Sequence, residues 1–211
     1  MSGKFITLEG GEGAGKTTCL KYIEKRIKEA GIELCVTREP GGTRTGEKIR
    51  EILLDRGNFD ILDETELMLM FAARAQHLNE LILPTLAADT WVLCDRFTDA
   101  TYAYQGGGRG INGERIAELE QWVQQGLKPD LTLLLDLPVE IGLERAGLRS
   151  TPDRFESENI AFMERMRSAY LDIASREPER VKIIDSSQPL EDVLSQIDHV
   201  INDALTGAHG D

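Results

Sequence analysis

The 211-residue sequence is poor in the residues that build metal and redox centres, with three cysteines and three histidines. Cys19, Cys35 and Cys94 lie far apart and form no Cys-x-x-Cys pair, which argues against a disulfide framework and a zinc site. All three read as small apolar core residues. His77, His199 and His209 are too scattered for a metal cluster or a catalytic triad. No apolar run approaches the roughly 18 residues that span a bilayer. The start, Met1-Ser2-Gly3-Lys4, has neither the apolar stretch nor the cleavage site of a signal peptide. A cytoplasmic protein without a membrane partner is therefore expected.

Positive charge is also scarce. The net charge is −13, against the basic footprint that a phosphate backbone requires, so no nucleic-acid partner is expected. The cations are not spread evenly, however. Lys16, Arg38, Arg44, Arg74, Arg96, Arg145, Arg149 and Arg154 fall in or beside the loops that carry the motifs below. An acidic protein can still attract anions if its basic groups converge in a cleft.

Hydrophobic residues make up 41% of the chain and charged ones 29%, a globular balance for which one domain over 1–211 is expected. Five short apolar runs, Phe5–Glu9, Leu34–Arg38, Trp91–Asp95, Leu131–Asp136 and Val181–Asp185, alternate with helical patterns. Most are continuous rather than alternating, as strands covered on both faces should be, so the expected fold is α/β with a parallel sheet. Helices are expected over 17–30, ending at Gly31, and from Asp63 to about Ala88, with Asp63 and Glu66 as a capping-box pair and Pro84 as a late disturbance. Further helices are expected over about 112–125, 139–146, 159–176 and 190–204, and the tail 206–211 reads as frayed.

The strongest motif is Gly10-Gly11-Glu12-Gly13-Ala14-Gly15-Lys16-Thr17, which follows a strand and opens a helix. This is the phosphate-binding P-loop, Gly-x-x-x-x-Gly-Lys-Ser/Thr. Its glycines let backbone amides turn onto phosphate oxygens beside the positive end of a helix. Lys16 then reaches the β- and γ-phosphates, and the Thr17 hydroxyl can ligate Mg²⁺. No Asn-Lys-x-Asp guanine motif occurs, and the many downstream arginines suit a small-metabolite kinase better than a switch.

Other features admit two readings each. Thr37-Arg38-Glu39-Pro40-Gly41-Gly42-Thr43 is a Pro-Gly turn that leaves Arg38 and Glu39 at a strand's carboxyl end, where ligands bind in parallel sheets. Asp95-Arg96 offers an acid for Mg²⁺ and a guanidinium for a phosphate, or else a structural ion pair. Phe71 and Arg74 share a helix face, either beneath a base or as core with a snorkelling arginine. Tyr102–Gly110 reads as a glycine-rich loop or a connector. Arg145, Arg149 and Arg154 read as a solvated charge run or as a mobile loop for phosphoryl transfer.

Together and in this order, Leu8-Glu9-Gly10, Arg38 to Thr43, Asp95-Arg96 and Tyr104-Gln105-Gly106-Gly107-Gly108-Arg109-Gly110 resemble thymidylate kinases, from Phe5 to about Pro189. The resemblance implies a P-loop NTPase three-layer sandwich with a five-stranded parallel sheet, usually dimeric, which transfers phosphate from ATP to dTMP with Mg²⁺. It implies that Gly10, Gly11, Glu12, Gly13, Ala14, Gly15, Lys16, Thr17 and Thr18 hold ATP, with Arg145 near the adenine. Phe71 would stack on thymine and Arg74 would donate to its O4, with Thr101 and Gln105 completing the base contacts. Tyr104 would pack on the deoxyribose, Arg38 and Arg96 would bind the acceptor phosphate, and Glu9 would lie near sugar and phosphate. Glu39-Pro40 falls where a cis peptide is common, and Glu39 joins the substrate set. Lys16, Arg96, Glu9 and the lid residue Arg149 would be catalytic, with Thr17 and Asp95 serving the metal, the latter through water. Another nucleotide kinase, or an ATP-dependent switch without turnover, remains the alternative.

Overall fold

A computed structural model of the chain describes residues 3–55, 57, 60–147, 154–155 and 158–206. The chain runs through β1 (Phe5–Gly10), α1 (Lys16–Glu29), β2 (Leu34–Arg38), α2 (Arg44–Leu54) and α3 (Asp63–His77). The last of these passes through π-helical turns at Leu78–Ile82 into α4 (Leu83–Ala87). Next come β3 (Trp91–Asp95) and α5 (Thr98–Thr101), which continues as a π-helical segment, Tyr102–Gly108. α6 (Gly113–Gln124), β4 (Leu131–Asp136), α7 (Val139–Gly147), α8 (Ile160–Arg176), β5 (Val181–Asp185) and α9 (Leu190–Thr206) complete the order.

The five strands form one parallel sheet in the order β2-β3-β1-β4-β5. Alternate residues of each central strand serve opposite faces, which is why the strands read as continuous apolar runs. On one face Ile6, Leu8, Leu93, Leu133 and Leu135 meet Cys19, Ile23 and Ile27 of α1 and Val193, Ile197 and Ile201 of α9. The four-residue spacing of those helix positions is one stripe of an α-helix. On the other face Phe5, Val92 and Cys94 meet Leu78 and Ile82, while Leu134 and Val181 meet α8 through Met166, Tyr170 and Ile173. The sheet with a helical layer on each face is the expected three-layer sandwich.

The register places Arg38 beside Asp95, Asp95 beside Leu8, and Asp136 beside Asp185, so the polar strand ends share one edge of the sheet. Chain order reverses around β1, first toward β3 and β2 and later toward β4 and β5. Such reversals open a crevice at the carboxyl ends of the strands.

Four local readings need correction. α2 was not expected; Thr43 caps it through a 3.0 Å bond from the Gly46 amide to its hydroxyl. Asp63 and Glu66 do not make a capping box, because Leu62 is the cap residue and Glu66 is drawn into the interior. Pro84 does not bend a continuous α-helix; π-helical turns precede it and Pro84 opens α4, where its missing donor costs least. Tyr102–Gly108 is helical rather than a glycine-rich loop. Its glycines serve proximity: a Cβ on Gly107 would stand 2.7 Å from Ala169 Cβ, and one on Gly108 2.4 Å from the Phe162 ring. They let this segment press against α8.

All three cysteines are free, Cys19 and Cys94 buried and Cys35 half-buried. Among the described residues no helix is long and apolar enough to cross a membrane. Residues 207–211 of the tail lie outside the described residues.

Ile23 is wholly buried between α1 and the sheet. Ile23→Ala should cost about 2–5 kcal/mol through lost burial and the cavity left behind. Urea denaturation should show a lower midpoint at unchanged slope.

Candidate functional site

The crevice at the carboxyl edge holds a cleft of ≈330 Å³ that joins the P-loop to the face of α3. Glu12, Gly13, Ala14, Gly15, Lys16 and Thr17 line one part of it, and Glu39, Arg74, Asp95, Arg96, Thr101 and Tyr104 line the other.

The P-loop is a tight turn between β1 and α1. Gly15, the residue before α1, has a left-handed φ of 85°, and no side chain caps the helix amides there. Gly13 has φ 71°, and a Cβ on it would fall 2.0 Å from the Gly142 carbonyl oxygen of α7. Glycine is therefore required on both conformational and steric grounds. The Lys16 ammonium donates to the Gly10 and Gly11 carbonyls at 3.1 and 2.9 Å. Burial, then the positive charge of Arg96, lowers its pKa. Gly10 and Gly11 lie at the strand end, and Thr18 is exposed on the first turn of α1.

Arg96 follows β3 with φ 69°, a left-handed conformation rare for a side chain of its size. Its guanidinium donates to Glu12 Oε1 at 2.8 Å and stands 4.8 Å from the Tyr104 ring centroid. The Tyr104 hydroxyl also reaches Glu12 Oε1, at 3.2 Å. Glu9 lies beneath this group, fully buried, and accepts from the Phe97 amide and the Tyr170 hydroxyl, both at 2.7 Å. Burial, reinforced by the charge of Asp99, pushes the Glu9 carboxyl up to about 7.

At the far end Arg74 is nearly buried and clamped. Its Nε donates to Glu39 Oε2 at 2.8 Å, and its Nη2 donates to the Phe97 carbonyl and the Thr101 hydroxyl at 3.1 and 3.0 Å. Nη1 is buried without a hydrogen-bond partner among the described residues. Glu39 owes its place to the turn around the cis Glu39–Pro40 bond, and it also pairs with His77 Nδ1 at 2.9 Å. His77 Nε2 in turn meets the Thr37 hydroxyl at 2.7 Å. Glu39 and His77 thus hold Arg74 in place. Composition alone gave no reason to connect His77 with the site, because its partner Glu39 is 38 positions of chain away.

Other expected residues stand elsewhere. Phe71 keeps its ring centroid 4.9 Å from the Arg74 guanidinium but is buried with Leu67 and Ile116 and is not among the described cleft residues; Met70, four positions before Arg74, lines the cleft. Arg38 is exposed and donates to Glu47 at 2.7 Å, while Arg50 of α2, which the sequence reading missed along with its helix, lines the cleft. Gln105 is wholly buried and donates to Glu66 at 2.8 Å, outside the described cleft lining. Arg145 binds the Ser186 and Ser187 carbonyls at 2.7 and 3.1 Å, after β5. Arg154 is paired with Glu66, and Arg149 lies outside the described residues.

Among the described residues no three His, Cys, Asp or Glu side chains cluster as a metal site. A divalent cation shared with phosphates needs fewer protein ligands. Thr17 and Asp95 both face the cleft, and Asp95 Oδ1 is buried without a hydrogen-bond partner among the described residues. An unsatisfied carboxylate oxygen beside the P-loop threonine fits Mg²⁺ held with a nucleotide.

The raised Glu9 pKa has a consequence for stability. The folded state holds this proton more tightly than the unfolded chain, whose value is near 4.5. The stabilisation is therefore complete below pH ~4.5 and lost as pH rises through about 7. Glu9→Gln should remove this contribution, flattening unfolding free energy against pH by at most ~1.4 kcal/mol per pH unit. Urea midpoints between pH 4.5 and 7.5 test it; parallel curves for both proteins would mean that Glu9 titrates normally.

Residues 8–197 match the family model described as thymidylate kinase. The chain is 57% identical over 201 residues to a thymidylate kinase of Pseudomonas putida (strain GB-1), covering 95% of this chain and 96% of that one. It is 54% identical over 210 residues to that of Ectopseudomonas mendocina (strain ymp), covering both in full. Among solved structures, the crystal structure of thymidylate kinase from Ehrlichia chaffeensis superposes with a TM-score of 0.76 at 30% identity, covering 95% of this chain and 99% of that one. With a P-loop at one end of its cleft and a clamped arginine at the other, the chain belongs to the thymidylate kinase family.

Proposed function

We propose that this chain is a single P-loop nucleotide kinase domain that transfers the γ-phosphoryl group of ATP to dTMP, giving ADP and dTDP, in dTTP biosynthesis. The observation that carries the reading is Arg74: a buried guanidinium with one unpaired nitrogen, in the same cleft as the P-loop. That nitrogen suits a carbonyl acceptor such as thymine O4. Thr101 and Met70 beside it offer a hydroxyl and an apolar surface for the base, and Tyr104 crowds the sugar. Family membership at 57% identity supports the same reaction.

In the reaction an oxygen of the acceptor phosphate attacks the γ-phosphorus, and the bond to the β,γ-bridging oxygen breaks as ADP leaves. Gly10–Thr18 and Lys16 hold the donor phosphates, and Arg145, near the loop after β5, belongs to its adenine end. Arg96 binds the acceptor phosphate, with Glu9 orienting the Arg96 loop from below through the Phe97 amide. Arg50, which lines the cleft and donates to the Pro40 carbonyl at 3.0 Å, is a second cation on this side, and Arg38 is paired with Glu47 outside the cleft lining. Thr17 and Asp95 would hold Mg²⁺, which neutralises charge on the phosphates when bound. Arg149 completes the catalytic set as the arginine that meets the transferred group. A cytoplasmic location and a homodimer complete the proposal. The adjoining helices α3 and α6 expose Met68 and Trp122, an apolar surface compatible with a second copy.

The test is kcat/KM for dTMP, dUMP, dCMP and the ribose form of dTMP. Cytosine presents an amino group where thymine presents O4, donor against donor, so dCMP should fall by roughly 10⁴–10⁵-fold. Loss of one methyl costs only ~10–200-fold, which leaves dUMP measurable. Comparable use of dCMP and dTMP would sink the thymine reading. Lys16→Ala should nearly abolish turnover while leaving the thermal midpoint close to wild type, because Lys16 stabilises developing charge rather than the core. Arg149→Ala should lower kcat by on the order of 10²-fold or more with little change in either KM.

A further inference from the structure

A buried acidic node lies outside the cleft and is not used by the chemistry above. Glu66 on α3 is wholly buried. Its Oε1 accepts from Gln105 Nε2 at 2.8 Å and Arg109 Nε at 3.3 Å; its Oε2 accepts from Arg109 Nη2 at 3.2 Å and from Arg154 Nη2. A single carboxylate therefore compensates two largely buried guanidiniums, helped by Asp63 and Glu158 on the Arg109 side. Its neighbours come from distant parts of the chain. Arg154 also donates to the Leu53 carbonyl of α2 at 2.9 Å.

The node reaches the cleft through one side chain. The guanidinium of Arg154 stands 4.6 Å from the Phe155 ring centroid, and that of Arg109 stands 5.9 Å from it on the Glu66 side. Phe155 is 6% exposed and lines the cleft, with its ring edge-on to Tyr104 at 5.8 Å and 87°. Residues adjoining the cleft from the 154–155 segment are thus held by cations that depend on Glu66 for neutralisation.

We propose that Glu66 is a positioning residue for the acceptor pocket, holding Phe155 through Arg154 and Arg109 as the wall that keeps Tyr104 against the substrate sugar. The proposal rests on the assignment of this part of the cleft to a nucleoside monophosphate. Glu66 touches neither substrate. Phe155 is the specificity-determining contact it controls. Without the carboxylate, two guanidiniums face each other with too little compensation, and the fork of Arg154 that fixes its neighbour is loosened.

The test compares Glu66→Gln, which preserves shape and removes charge, with Phe155→Ala and the double variant. Glu66→Gln should raise KM for dTMP by ~10-fold or more while KM for ATP stays within twofold, since the donor site shares no residue with the node. Phe155→Ala should raise the same KM and should shrink the preference for dTMP over its ribose form by ~3–10-fold, the worth of an aromatic edge contact. The double variant should be no worse than the more severe single one, because both act on one wall. A purely structural Glu66 would lower the thermal midpoint and leave KM for dTMP unchanged, which overturns the proposal. An unchanged KM and sugar preference in Phe155→Ala overturns it as well, and this arm stands even if Glu66→Gln does not fold. Wild-type enzyme is assayed first on the acceptor panel. If another monophosphate proves the substrate, the dTMP assignment falls, and the node is judged by the KM for that monophosphate.

Discussion

Arg96 follows β3 in a left-handed conformation, and the walls of the cleft meet around it. Its backbone amide bonds the Leu8 carbonyl of β1, and its side chain joins the P-loop at Glu12, the π-helical segment at Tyr104 and α8 at Tyr170, the last at 3.4 Å. The cost of a positive φ at a long side chain is of order 1–3 kcal/mol, and such residues persist only where their surroundings over-determine them. Here the fixed point ties the Tyr104 side of the cleft to the P-loop. Glu9 secures it from below by receiving the Phe97 amide, the next in the chain.

An acidic protein that handles anions must bury positive charge, and buried charge must be compensated. The chain solves this with carboxylates at fixed stations: Glu39 for Arg74, Glu12 for Arg96, and Glu66 for Arg109 and Arg154. The stations differ in what they leave open. Arg74 retains one nitrogen without a partner among the described residues, and three fixed bonds set the direction of its guanidinium. Preorganisation of that kind reduces the ordering cost of binding.

Much of this was legible in the sequence, because its strongest signals are local. Short apolar runs, most of them continuous, gave all five strands, with only β1 extended by one residue to Gly10, and the P-loop was fixed by its own glycines. The misreadings arise where a local pattern has two physical uses. Glycines at 106–108 suit a flexible connector as well as a helix pressed on a neighbour, and only α8 decides between them. Phe71 and Met70 stand three and four positions before Arg74, so either shares a face with it; the Phe71 ring lies 4.9 Å from the Arg74 guanidinium while packing on Leu67 and Ile116, and Met70 lines the cleft. Glu66 has capping-box spacing from Asp63, yet its partners lie 39, 43 and 88 positions away. Long-range pairing of that kind leaves no mark on local spacing.

The same stations bear on how an anion enters. Glu12 accepts from Nη2 of the Arg96 guanidinium, so an anion that takes the same nitrogen must displace a carboxylate rather than water. Exchange of one anion for another leaves the buried guanidinium compensated at both ends of the process. Its desolvation is therefore met once, during folding, and not again at each turnover. Lys16 is in a comparable state, its ammonium satisfied by the Gly10 and Gly11 carbonyls of the loop that also presents amides to phosphate. In both cases the cation is partnered by the P-loop itself, Arg96 at Glu12 and Lys16 at the Gly10 and Gly11 carbonyls.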